Sequence, residues 1–190
     1  DYDNDGYIDA IYLIYNNPNS SNAEYNTKGE SIFWAYQYSN YGALGTSNIA
    51  SPVGMNYAWS SIDFSHKGYG VNKIDTHTYI HEMGHILGLE DYYSYDASWN
   101  DYDALGSLDM QDHNILDHNA YSKYVLGWTK PYIIDETKTT TVIQLRPFES
   151  SGDCIMLSSS WNGSPFDEYL MLEFYTPTGL NYMDSITGPY

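Results

Sequence analysis

The run His81-Glu82-Met83-Gly84-His85-Ile86-Leu87-Gly88-Leu89-Glu90-Asp91 constrains this chain more than any other stretch. Two histidines four residues apart stand on one face of an α-helix, one turn above each other, so their imidazoles can grip a single ion. Glu82 projects from the flank of that face, where a carboxylate reaches a water in the ion's open position. Gly88 stands just past the last helical turn, where positive φ lets the chain bend sharply. Three residues later Asp91 can swing back as a third ligand. A catalytic zinc takes three protein ligands and one water, with the adjacent glutamate as general base.

Composition sets how much weight the pattern bears. With 6 His in 190 residues, a chance His-Glu-x-x-His has odds of about one in a hundred. Adding Gly88 and Asp91 lowers that to about one in ten thousand. A surface helix with a polar face explains neither added residue. Glu90, Glu136 and Glu149 remain open as other third ligands.

The run resembles the extended zinc motif of the metzincins, in the variant where aspartate replaces the third histidine. More closely, Ile80 to Tyr93 resembles the immune inhibitor A family of secreted bacterial metallopeptidases. A second block, Leu108-Asp109-Met110-Gln111-Asp112 through Asp117-His118-Asn119-Ala120-Tyr121-Ser122-Lys123-Tyr124-Val125-Leu126-Gly127-Trp128, is similar to the same family, as is the Asp-rich opening that runs into a strand. The likeness covers most of the chain in order, sparsely over 16–70 and after 130. It implies an α+β, metzincin-like zincin catalytic domain: a mixed sheet, an active-site helix, a methionine turn at Met110, then a C-terminal helix and strands. It also implies Zn2+ as cofactor, a protein or peptide substrate and a secreted or cell-surface bacterial setting. Met110 is then the apolar floor of the site. Peptide, rather than ester or nucleotide, comes from the resemblance and not from the ligand set.

The length suits one catalytic domain over 1–190, with an N-terminal subdomain 1–88 and a C-terminal subdomain 89–190. Seven basic against 25 acidic residues give a net charge of −18. That is hostile to nucleic acid and anionic membranes, and it suits Ca2+, basic or neutral substrates, or simple solubility, without choosing among them. No run of about 18 apolar residues is present, so membrane insertion is not expected. A monomer is expected. The chain opens on Asp1 and stops at Tyr190, which reads as an excerpt of a longer polypeptide. The 22 tyrosines fit strands and ordinary core and rim packing. Cys154 sits among apolar neighbours and reads as a buried structural thiol.

In chain order, Asp1, Asp3, Asp5 and Asp9 alternate through a turn at Gly6, with the Tyr7 carbonyl between. These are calcium-loop positions 1, 3, 5, 7 and 9, but Tyr12 stands where a full loop needs glutamate. The pattern therefore reads as a calcium site or as a solvated acidic turn. Ala10–Tyr15 reads as a buried strand, 16–29 as loop, Ser31–Tyr38 as a strand, and Val53–Trp59 as a half-buried one. Either of the last two can be the edge that pairs with an extended substrate. Lys67–Lys73 is a Gly-rich approach. Asp75 or Thr76 caps a helix running to about Leu87. His77, one turn before His81, orients or packs. From Glu90 to Gln111 neither helix nor strand is evident, and Asp96, Asp101 and Asp103 offer a second calcium set. Asp117 caps a helix from His118 to Leu126, closed by Gly127. Tyr121 is the candidate oxyanion donor, with His113 and His118 as others. Thr139–Leu145, Cys154–Ser158 and Tyr169–Phe174 read as strands. A rival function needs no turnover: a calcium-stabilised surface binding or adhesion module retaining a zinc site. A zinc hydrolase for a non-peptide bond is the third possibility.

Overall fold

The computed structural model describes residues 1–16, 34–40, 45–66, 74–96, 98, 105–106, 108–112, 117–137 and 142–183. The chain forms two compact units, Asp1–Glu90 and Asp91–Tyr190. Each carries a three-stranded sheet together with helix, a mixed α/β composition. None of the described helices is long and apolar enough to cross a membrane.

In the first unit the sheet order is β1 (Ile8–Tyr15), β3 (Gly54–Ser61), β2 (Tyr36–Ser39). β1 runs parallel to β3, from Ile8 opposite Gly54 to Tyr15 opposite Ser61. β2 runs antiparallel to it, from Tyr36 opposite Trp59 to Ser39 opposite Asn56. A 3-10 turn, Ile62–His66, leads away from β3, and helix α1 (His77–Ile86) packs on β3 and β2. The helix-bearing face is identifiable from Tyr12. It stands opposite Ala58, and its ring lies 6.2 Å from that of Tyr79 on α1. Ala58 and Ser60 share that face by the two-residue alternation of a strand. Both are fully buried, and their small side chains let the helix approach closely.

Two expectations change here. β1 was expected to be buried, yet Leu13 and Ile14 are 41% and 56% exposed. Among the described residues it has β3 alone as a neighbour. Val53–Trp59 was one candidate for the substrate-pairing edge, but β3 is central and its backbone groups are taken on both sides. Of the two candidates, β2, described from Tyr36, is the outer strand among the described residues. Ser31–Phe33, most of 16–29, and Lys67–Lys73 lie outside the described residues.

In the second unit the order is β4 (Tyr132–Ile134), β5 (Cys154–Leu157), β6 (Leu170–Glu173), parallel then antiparallel. Central β5 buries Cys154, Ile155 and Met156. Helix α2 (Ala120–Val125) and the single turn α3 (Phe148–Ser151) close over it, so that Ala120, Phe148 and Cys154 form a core joined by Met171. Burial raises the Cys154 thiol above its usual pKa, as suits a structural cysteine.

Helix α2 starts two residues later than expected, and its cap is Asn119 rather than Asp117. Asn119 is extended, and its side chain accepts the Ser122 N–H at 3.1 Å. Asp117 instead holds Lys123 Nζ at 2.7 Å. Val142–Leu145 are not strand, and Thr139–Thr141 fall outside the described residues. β4 and α3, three and four residues long, are too short for a periodic signal.

Candidate metal centre

The site begins with the boundaries of α1. Thr76 occupies the N-cap position without a side-chain bond, and Asp75 Oδ1 accepts the His77 N–H at 2.9 Å. At the other end the Gly88 N–H bonds His85 O and the Leu89 N–H bonds Gly84 O, both at 3.0 Å. This crossed pair is a Schellman closure, which needs positive φ at the residue after the cap. Gly88 supplies φ 98°. The chain thus turns back immediately after His85.

His81 and Glu82 are 8% and 6% exposed, whereas Met83 and Leu87 are 40% and 48% exposed. The helix therefore buries its polar motif face and exposes two apolar residues. This inverts the ordinary amphipathic order, in which apolar side chains are the buried ones. His81 Nε2 and His85 Nε2 stand 3.1 Å apart, with the rings nearly perpendicular. His85 Nδ1 lies 2.8 Å from the Leu89 carbonyl oxygen. A carbonyl only accepts, so Nδ1 carries the hydrogen and Nε2 presents a lone pair towards His81. Two Nε2 atoms at that distance share either a hydrogen carried by one of them or a cation bound by both. The His77 ring stacks on His81, with centroids 5.9 Å apart.

His81, His85 and Asp91 each offer a ligand atom, all within 4.8 Å of one another. The three lie on eleven consecutive residues that cross the Glu90/Asp91 boundary, so the helix and the turn at Gly88 set their spacing. A tetrahedral ion with nitrogen ligands at about 2.0–2.1 Å places ligand atoms about 3.3–3.4 Å apart. The 3.1 Å between the imidazoles is close to that edge, and a nitrogen/oxygen donor set suits zinc. The residues therefore fit the ion. Among the described carboxylates, Glu90, Glu136 and Glu149 are not grouped with the two histidines.

Around Asp91 the second unit adds contacts that sequence reasoning missed. Asp91 Oδ2 accepts a hydrogen bond from the Tyr95 hydroxyl. The next residue, Tyr92, donates its N–H to Gln111 O at 3.0 Å, and its ring lies 5.9 Å from that of Tyr121. Tyr92 thus ties the Asp91 segment both to the turn holding fully buried Met110 and to Tyr121 on α2. That turn is pinned by Asp109, also fully buried. Its carboxylate accepts from Gln111 N at 2.7 Å, Asn119 N at 2.8 Å and Ser122 Oγ at 2.7 Å. The signal for Asp109 was its place beside Met110, but no periodic pattern marks a residue whose partners lie up to 13 positions away.

Glu82 sits near the sheet. Burial drives the Tyr12 phenol far above its usual pKa; a Ser60 hydrogen bond offsets part of this, and the Glu82 charge adds to the rise. His118 is buried edge-on to Trp128, with Nδ1 3.6 Å from Asp109 Oδ1. His113 lies outside the described residues.

At the chain's opening Asp1, Asp3 and Asp5 bring carboxylate oxygens within 4.8 Å of one another, all exposed. The Asp9 carboxylate is not grouped with these three, and its Oδ2 accepts the Tyr2 N–H at 2.9 Å. Asp96 Oδ1 accepts from Ser98 N and Oγ, and Asp101 and Asp103 lie outside the described residues.

No protein-family model matches the chain, and no curated protein matches it in sequence.

Proposed function

We propose that this chain is the catalytic domain of a zinc-dependent endopeptidase of metzincin-like fold, acting on extracellular proteins in extended form. The observation that carries the reading is the convergence of His81, His85 and Asp91 with Glu82 buried in the next helical position. Metal binding alone does not need that glutamate. A binding module would have no use for it, although the exposed Asp1, Asp3 and Asp5 trio suits calcium stiffening under either reading.

His81 Nε2, His85 Nε2 and an Asp91 oxygen would hold the zinc. Bound there, zinc supplies Lewis acidity that polarises a peptide carbonyl and acidifies a water. Leu89 O fixes the His85 tautomer, and His77 stacks on His81, so both rings are oriented before the metal arrives. The Glu82 carboxylate takes a proton from the attacking water, then gives it to the leaving amine nitrogen. Tyr121 donates its phenolic hydrogen to the developing oxyanion. Strand β2 offers backbone groups to an extended substrate.

The test is Glu82→Gln, which keeps the shape and removes the base. Zinc content by metal analysis should stay at one ion per chain, while casein cleavage falls about 10²–10⁴-fold. Equal cleavage by variant and parent rules out Glu82 as base. A parent that holds zinc and cleaves neither protein nor peptide favours the binding module.

A further inference from the structure

The second unit contains a cavity of about 700 Å³, within the range of sites that enclose a side chain or small ligand. Its walls are mainly apolar and aromatic, with Leu108, Ala120, Met171, Tyr121 and Tyr169 among them. Two acidic groups also line it, Glu173 and Asp167, and among the described residues no lysine, arginine or histidine does. Glu173 is half-buried, and Oε2 accepts the Ala120 N–H at 2.6 Å. A carboxylate has about four acceptor positions, so one backbone bond leaves most of its capacity unused.

The charge balance favours one kind of guest. Lys123 is engaged with Asp117 at 2.7 Å and lies over the Phe148 ring. Burial holds the Glu173 carboxyl above its usual pKa; Asp109 and Asp117 push it further, and the Ala120 bond and Lys123 pull it back. Burial likewise pushes the Tyr169 phenol up to about 12, with Tyr121, Tyr124, Tyr92 and Asp167 adding to the rise. Two carboxylates lining a partly dry, tyrosine-walled space make a setting that suits a cation. Tyrosine faces accept a cation as well. The cavity also adjoins the proposed chemistry within its own unit, since Tyr121 lines it and packs on Tyr92, the neighbour of Asp91.

We propose that this cavity is a specificity pocket for a basic side chain, lysine or arginine, of the peptide substrate: the aliphatic stem lies along Leu108 and Met171, and the cationic tip meets Glu173. The assignment rests on the endopeptidase reading. Glu173 gives the pocket its charge, and the tyrosines give it walls that suit a long flexible stem.

A peptide library varied at one position at a time, cleaved by the full chain with zinc, tests the preference. One position should favour Arg and Lys over Leu, and in Glu173→Gln the ratio of kcat/KM for the arginyl over the leucyl peptide should fall about 10- to 100-fold, the worth of one charge-assisted hydrogen bond. Glu173→Asp, which keeps the charge, should recover part of that ratio; if Glu173→Gln melts early, it carries the test. Binding of N-acetyl-arginine amide to Glu82→Gln protein, followed by tyrosine fluorescence, gives a readout without turnover. It should weaken by a similar factor when Glu173→Gln is added. Cleavage with no basic preference, or a preference that survives Glu173→Gln, overturns the pocket and leaves the endopeptidase standing. Arginine amide binding that depends on Glu173, in a chain that cleaves nothing, overturns the endopeptidase and supports the pocket's taste for cations.

Discussion

At Asp91 a single side chain has two tasks: to offer one oxygen beside His81 and His85, and to accept a hydrogen bond from Tyr95 with Oδ2. Partners behind a metal ligand commonly contribute 10- to 100-fold in affinity, because they fix its orientation before binding. Tyr95→Phe should therefore weaken zinc binding about 10-fold by competition with a chelating dye, while Asp91→Ala should weaken it at least ~100-fold. Full zinc occupancy in Asp91→Ala would move the third ligand elsewhere. The Tyr95 contact was not legible in the sequence. An exposed tyrosine four residues on, within an Asp/Tyr-rich run of no clear periodicity, carries no distinguishing mark. The grouping of Asp91 with the two histidines was legible, because its distance from Gly88 is fixed by the motif.

At the scale of the element, α1 is a helix whose ends matter more than its middle. Its interior contains Thr78, Ile80 and Gly84, none a strong helix former in an isolated segment. Asp75 at one end and the closure through Gly88 at the other hold it in register. Gly88→Ala has open space around the added Cβ but must adopt φ near 98°, at a cost of about 1–2 kcal/mol. If the chain relaxes instead, Leu89 O leaves His85 Nδ1. Thermal unfolding should show the lower stability, and zinc affinity should fall with it; a variant with parental zinc affinity would show that the turn does not position the ligands. The edge assignment belongs to this scale too. Alternation made Val53–Trp59 a convincing strand, yet pairing on both sides makes β3 the centre of its sheet. Strand order arises from long-range pairing, which the period of one segment does not encode.

At the scale of the whole molecule, the chain divides into two compact units. The second unit is organised as much by Asp109 as by Phe148 and Cys154. Its three buried hydrogen bonds join the Met110 turn to the start of α2. Asp109→Ala leaves those donors without their acceptor, so it should cost about 3 kcal/mol or more in urea unfolding. A loss under about 1 kcal/mol would mean water replaces the carboxylate at little cost. Glu173 contributes in the opposite sense. Its folded pKa lies above the ordinary value of 4.5, so the native state binds more protons than the unfolded one between those two values. Stability then declines as pH rises through that window, and the penalty is fully present above the folded pKa. Glu173→Gln should flatten that decline in a series of unfolding curves from pH 4 to 8. An unchanged slope would mean that the carboxyl titrates normally.

The amino-acid sequence alone determined what local geometry can determine: the helix that sets His81 and His85 one turn apart, the glycine that turns the chain after it, and the placing of Asp91 within reach. Those relations span eleven consecutive residues, and the period of the helix with the φ of one glycine suffices to fix them. Only the tertiary structure decided that β2 rather than β3 is an edge, that Asn119 rather than Asp117 caps α2, that Tyr95 reaches Asp91, and that Glu173 lines a cavity with tyrosines. Each of these depends on which of several chemically equivalent groups finds its partner first and best. That competition is settled by packing across the chain, not by spacing along it.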